Sequence, residues 1–262
     1  MRYPTYFISH GGGPWPWMEE MKLPMARTAE WLENLPKTLP APPKAIVAVS
    51  AHWEAQRPTV SSAAKPPMIY DYFGFPPHTY QIKYPAPGSP ELAKRILALL
   101  DAAGIESAQD EARGFDHGTF VPLSLMFPRG DVPVVSLSLE SSLDPAEHLR
   151  LGAALAPLRD DDILILGSGL SYHNLRAFGP AGGPASEQFE AWLTEAVTAD
   201  SKTRDHKLVE WRQAPSARAS HPREEHLIPL MVAAGAAGDE RGTRAFVDTI
   251  RGIRTACYAF GA

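Results

Sequence analysis

AIVAVSAHW, residues 45–53, decides the reading of the fold. Ala45–Ser50 is nearly all apolar, with several branched side chains. A continuous apolar run of this length suits a strand buried on both faces of a sheet. The run delivers His52 at its carboxyl end. Two other runs end the same way. Tyr3–Ser9 (YPTYFIS) leads into His10, Gly11, Gly12 and Gly13, and Ile163–Leu166 (ILIL) leads into GSGLSYH, which ends at His173. Val132–Leu139 (VPVVSLSL) reads as another strand, and RTACYAF as a last one. Between them lie helical patterns at about Ala26–Leu35, Pro90–Ala103, Pro145–Leu158, Glu187–Ala199 and His226–Ala237. The second has Ser89 as its N-cap and Gly104 at its end. Pro222, Glu224 and Glu225 suit the first turn of the last. A long stretch from Arg57 to Pro90, rich in proline and aromatics, reads as a structured loop. The pattern predicts an α/β fold: a single domain over 1–262, with a central, mostly parallel sheet flanked by helices. In such sheets ligands bind beyond the carboxyl ends of the strands, so that is where the three histidines are expected to meet.

The composition narrows the function. The 262 residues are 44% hydrophobic and 21% charged, as in an ordinary globular protein, with a net charge of -5. Bulk charge therefore draws in neither nucleic acid nor an anionic membrane. The lone Cys257 rules out a disulfide within the chain and reads as buried and structural. MRYPTYFISHGGGPW lacks the basic and apolar regions of a secretory signal, and no apolar run is long enough to span a membrane. The expectation is a cytoplasmic protein.

Three strand-terminal histidines suggest a metal centre, because neutral imidazole suits Fe, Zn, Cu or Ni. His117, in Asp116-His117-Gly118, and the pair His221/His226 are candidates to join them. Taken singly, each has a plainer reading. A histidine after a strand is often just a satisfied polar residue, Asp116 suits a helix cap, and His221-Pro222 suits a helix entry. Other chemistry has less support. Gly167-Ser168-Gly169 lacks the spacing of a nucleophile elbow, and the glycines after His10 match no phosphate-binding motif. His78, His148 and His206 read as surface residues.

The pieces FISHGGGPW, VSAHWE, YDYFGFPPHTYQIKYPAPGSPELAKRI, FDHGTFVPLSLMFP, GSGLSYHNLR and HPREEHLIPLMVAAGAAG span almost the whole chain. In this order they resemble the class III extradiol dioxygenases of the LigB superfamily, and more closely its DOPA 4,5-dioxygenase type. The resemblance implies that His10, His52 and His226 are metal ligands and that His173 is an acid/base beside the metal. It implies a substrate-contacting or supporting role for His117, and an orienting or substrate-binding role for His221. Glu225 is the alternative third ligand, since another branch uses two histidines and a glutamate. Fe(II) is the expected working metal, and an all-histidine set also accepts Zn(II). The expected partners are a small aromatic diol and O2, with no nucleic acid or membrane, in a monomer or homodimer. Tyr72, Phe73, Phe75, Tyr80 and Tyr84 would wall the substrate ring, and Lys83 would meet a substrate carboxylate. The alternatives are a zinc hydrolase or a non-enzymatic binding protein on the same scaffold.

Overall fold

The apolar runs become the centre of one sheet. The computed structural model describes residues 2–262. Its strands are β1 (Thr5–Ser9), β2 (Ala45–Ala55), β3 (Thr59–Ser61), β4 (Ala108–Asp110), β5 (Val134–Glu140), β6 (Ile163–Gly169), β7 (Gly242–Ile250) and β8 (Ile253–Phe260). They lie in the order β4-β3-β5-β2-β6-β1-β8-β7. The four central strands, β5, β2, β6 and β1, are parallel. β8 pairs antiparallel with both β1 and β7, and β3 pairs antiparallel with β5.

Burial on both faces explains the composition of β2. Ile46 and Ala48 join one core with Leu32 and with Phe120 and Leu123 of the helix His117–Met126. Val47 and Val49 join another, with Leu151, Leu155, Ile228 and Val232 from the helices Pro145–Leu155 and Ile228–Ala237. A strand covered on both sides has no solvent face, so its sequence shows no polar alternation. Within β2, Ser50 and His52 continue the row of Ile46 and Ala48, because alternate side chains share a face.

Several expectations need correcting. The hairpin partner β7 was not anticipated: its mixed burial leaves GTRAFVDTI without a clear apolar period. The last helix begins at Ile228, with proline in its first turn, rather than at His226. The His226 carbonyl instead accepts the Leu170 N–H at 2.9 Å, which draws residues 221–227 into an irregular turn over β6. The helix Gly183–Thr198 starts earlier than Glu187, on a Gly-Pro step. His148 is buried rather than exposed. Its Nδ1–H donates to the Asp144 carbonyl at 2.7 Å, and its Nε2 accepts the Glu140 N–H at 3.1 Å. His78 and His206 are exposed as expected. Cys257 is buried, and burial pushes its thiol up to about 12. No helix among the described residues is long and apolar enough to cross a membrane.

Candidate active site

The carboxyl ends of β1, β2 and β6 bring remote histidines together. His10 follows β1 and His52 lies near the end of β2. His226 is held over β6 by close backbone contact. A Cβ on Gly169 would stand 2.0 Å from the His226 carbonyl oxygen, so this position takes no side chain. The Gly-Ser-Gly of β6 is therefore a packing surface, not a nucleophile elbow. A similar limit holds under His52, where a Cβ on Gly118 would meet Ser50 Oγ at 2.5 Å and His52 Cδ2 at 2.9 Å. Asp116 caps the helix carrying His117, accepting the Thr119 N–H at 3.0 Å and the Ser50 hydroxyl at 2.7 Å. The cap reading of Asp116 and a site role for His117 thus coexist.

The ring centroids of His10 and His52 lie 5.0 Å apart, those of His52 and His226 4.8 Å, and those of His10 and His226 5.3 Å. His117 stands 4.0 Å from His52, and His173 stacks on His226 at 3.3 Å. The Nδ1 atoms determine what each ring offers. His10 Nδ1–H donates to the Gly11 carbonyl at 2.6 Å. His226 Nδ1–H donates to Glu225 Oε1 at 2.9 Å, and His52 Nδ1 lies 3.4 Å from Asp71 Oδ2. In this tautomer every Nε2 carries a lone pair, and these nitrogens converge. His10 Nε2 is buried with no hydrogen-bond partner. His52 Nε2 and His226 Nε2 stand 3.2 Å apart. Facing lone pairs repel unless a cation sits between them, and nitrogens each about 2.1 Å from one ion have about this spacing. The residues therefore fit a metal ion with three imidazole ligands. Two other histidine–carboxylate groups, His52/Asp71/His117 and His173/Glu225/His226, are also close enough to ligate. N–H···O bonds already account for the His117–Asp71, His173–Glu225 and His226–Glu225 contacts.

Two carboxylates face four of the five rings, and the fifth, His10, is held by the Gly11 carbonyl. Asp71 Oδ2 accepts His117 Nδ1–H at 2.8 Å, and its Oδ1 accepts the His117 backbone N–H at 2.9 Å. Glu225 Oε1 accepts from His173 Nδ1 at 3.0 Å as well as from His226. Each acid thus serves one histidine of the converging trio and one beside it. Burial pushes both carboxyls up, but the hydrogen bonds outweigh it and hold Asp71 below, and Glu225 far below, the usual range. Burial, reinforced by neighbouring imidazoles, lowers His10 and His226 and takes His52 to about 4. All three are neutral at pH 7 and need lose no proton to bind a metal.

The histidines floor a cavity of about 510 Å³, walled by Met21, Met25, Phe75, Leu175, Phe178 and Ile250. His10, His52, His117, His173 and His226 all reach it. Of the predicted aromatic wall only Phe75 does. Tyr72 packs behind it at 5.4 Å, with Tyr80 behind Tyr72. Phe73 is 91% exposed, Tyr84 is buried against Phe115, and Lys83 is exposed and away from the cavity. The structure does not bring His221 to the cavity. It is fully buried against Phe189 and Trp211, with Nε2–H on the Ser171 carbonyl at 3.1 Å. Asp71 was missed, although an acid in the aromatic run YDYF was a signal. Arg251 was missed along with its hairpin.

Residues 4–261 match the family described as the catalytic LigB subunit of aromatic ring-opening dioxygenase. The chain belongs to this family and is an extradiol ring-opening dioxygenase, in a family whose enzymes depend on a metal. It is 44% identical over 239 residues to a 4,5-DOPA dioxygenase extradiol of Beta vulgaris, covering 90% of this chain and 87% of the relative. A protein of the same name from Escherichia coli K12 is 38% identical, covering 90% and 85%. A crystal structure of an uncharacterised Escherichia coli K12 protein superposes with a TM-score of 0.79 at 33% identity, covering 99% of this chain and all of that one. These relatives put the chain in the DOPA 4,5-dioxygenase-like branch.

Proposed function

We propose that the chain opens a 3,4-dihydroxyphenyl ring with O2, using Fe(II) held by His10, His52 and His226. His173 is the proton-transfer group, and His117 is the hydrogen-bond partner of a substrate oxygen. One observation carries this reading. Around the cavity floor, His10, His52, His117, His173 and His226 each turn Nδ1 toward a fixed acceptor, which leaves Nε2 for metal or substrate. The relatives' names supply the substrate class.

Ferrous iron held there would supply the redox coupling that lets triplet O2 react with a singlet ring, which zinc, having no redox chemistry, would not. The protein's part is orientation and proton transfer. The apolar wall, with Phe75 backed by Tyr72, excludes water and packs on the ring. His173 Nε2 takes a proton from a catechol hydroxyl and later returns one to the opening ring. Its Nδ1–H stays on Glu225, which keeps Nε2 basic and stabilises the imidazolium between the two transfers. His117 Nε2 accepts a hydrogen bond from a substrate hydroxyl while Asp71 holds its Nδ1–H. Both atoms of O2 end in the product, a ring-opened semialdehyde acid.

The test is anaerobic loading with Fe(II), then a catechol panel followed with an oxygen electrode and an absorbance scan. Oxygen uptake matched by a yellow chromophore, and absent with Zn(II), is the expected result. No uptake with any catechol, in protein carrying one metal per chain, overturns the proposal and favours a zinc hydrolase or a binding role.

A further inference from the structure

Arg251 is a strained cation at the cavity rim with no anionic partner. It forms the tip of the β7–β8 hairpin with Gly252, between the directly paired Ile250 and Ile253. Arg251 has φ 50° and Gly252 φ 86°, a two-residue turn with both positions left-handed. Such turns favour Asn or Asp followed by Gly, and an arginine there is held against its backbone preference. A residue kept in a disfavoured conformation points toward function. Both Arg251 and its neighbour Ile250 line the cavity. The guanidinium Nη2 stands 3.3 Å from the sulfur of Met21, another wall residue. Arg27 on the helix Ala26–Asn34, Arg244 on β7 and Arg254 on β8 each have a carboxylate partner. Among the described residues, none pairs with Arg251. No Asp or Glu lines the cavity either. The cavity thus has a histidine floor, an apolar wall, one fixed cation at its rim and no fixed anion.

We propose that Arg251 binds a carboxylate at the end of the substrate's side chain, and that the preferred substrates are catechol acids without an ammonium group. This rests on the ring-opening reading above. The diol goes to the histidines and the aliphatic part of the side chain crosses the apolar wall. Its acid then meets the guanidinium in a charge-assisted hydrogen bond. An ammonium on the same side chain would face Arg251 with no carboxylate on the wall to offset it. The catechol amino acid therefore ranks below its des-amino analogue, and the catechol amine ranks last.

The test measures anaerobic binding to the Fe(II)-loaded protein, read by absorbance and calorimetry without turnover. The ligands are 3-(3,4-dihydroxyphenyl)propanoate, its amide, DOPA and dopamine. In the natural protein the acid should bind about tenfold or more tightly than the amide, as a hydrogen bond to a charged group implies, and dopamine should bind weakest. Arg251→Asn suits the left-handed turn, so its melting temperature should stay the same or rise while the acid/amide ratio falls to about one. Arg251→Lys should keep part of the ratio. A merely structural role predicts the reverse for Asn: lower stability with the ratio intact. An acid/amide ratio within twofold in the natural protein, dopamine binding as tightly as the acid, or a ratio that survives Arg251→Asn overturns the proposal. Acid discrimination without ring opening on admitting O2 would sink the reaction and leave Arg251 standing. Ring opening without discrimination would do the opposite.

Discussion

Glu225→Gln removes a charge but little volume from beside two imidazoles. Glu225 Oε1 accepts His226 Nδ1–H at 2.9 Å and His173 Nδ1–H at 3.0 Å, and the side chain is only 13% exposed, so solvent screens these bonds weakly. A hydrogen bond to a charged group contributes about 1.5–3 kcal/mol, and one to a neutral acceptor about 0.5–1.5 kcal/mol. The difference, about 1–1.5 kcal/mol per bond, corresponds to roughly tenfold in an equilibrium constant. Only the bond to His226 acts on a proposed ligand, so Fe(II) affinity should fall about tenfold, the lower end of what losing such an orienting partner costs. The bond to His173 should appear separately, as slower turnover at saturating metal. The assay is competition against a chromophoric chelator under anaerobic conditions, with Asp71→Asn alongside. Asp71 lies 3.4 Å from His52 Nδ1, beyond good hydrogen-bond distance, and should matter less to the metal. Metal affinity within twofold of the natural protein would refute the orienting role. A loss beyond about a thousandfold, well past the range for orienting partners, would identify Glu225 as a ligand in its own right.

Three further outcomes follow from the same geometry. His173→Ala should lower turnover about 100–10,000-fold, the usual worth of general acid–base help, while chelator competition shows metal affinity within twofold. Full turnover would remove His173 from the proton path. His221→Ala should cost about 2–4 kcal/mol in urea unfolding, because it empties a fully buried site against Phe189 and Trp211. It should leave KM for a catechol unchanged, and a tenfold KM change at unaltered stability would restore the substrate-contact reading. Burial lowers His221 and His52 to about 4 in the fold, against 6.5 for a free imidazole. Between those values the unfolded chain binds more protons than the folded one, so stability falls as pH falls through that window. The urea midpoint of the metal-free protein should be flat above pH 7 and decline from about pH 6.5 to 4. A constant midpoint across that range contradicts the burial account.

Residue order alone made the sheet centre and the chemistry legible. AIVAVS and ILIL suit doubly covered strands, because no polar period runs through them. Histidines placed just past such strands share the carboxyl-end side of the sheet when the strands run parallel, as β1, β2 and β6 do. The family pieces assigned roles to those histidines by their neighbours in sequence. What the sequence left open depends on which side chains face each other after folding. His221 and His226 share one short motif, yet one packs into the core against Trp211 and the other reaches the cavity. The four residues between them turn through a path set by β6, where Gly169 admits the His226 carbonyl. Asp71 meets His117 and His52 across the fold, a pairing no local pattern encodes. Arg251 reaches the cavity only because β7 folds back on β8, and β7's sequence lacks a clear period since the strand is only partly covered. Residue type and strand period are local properties and can be read in one dimension. Tautomers, partners and cavity walls are set by long-range packing, so only the tertiary structure decides them.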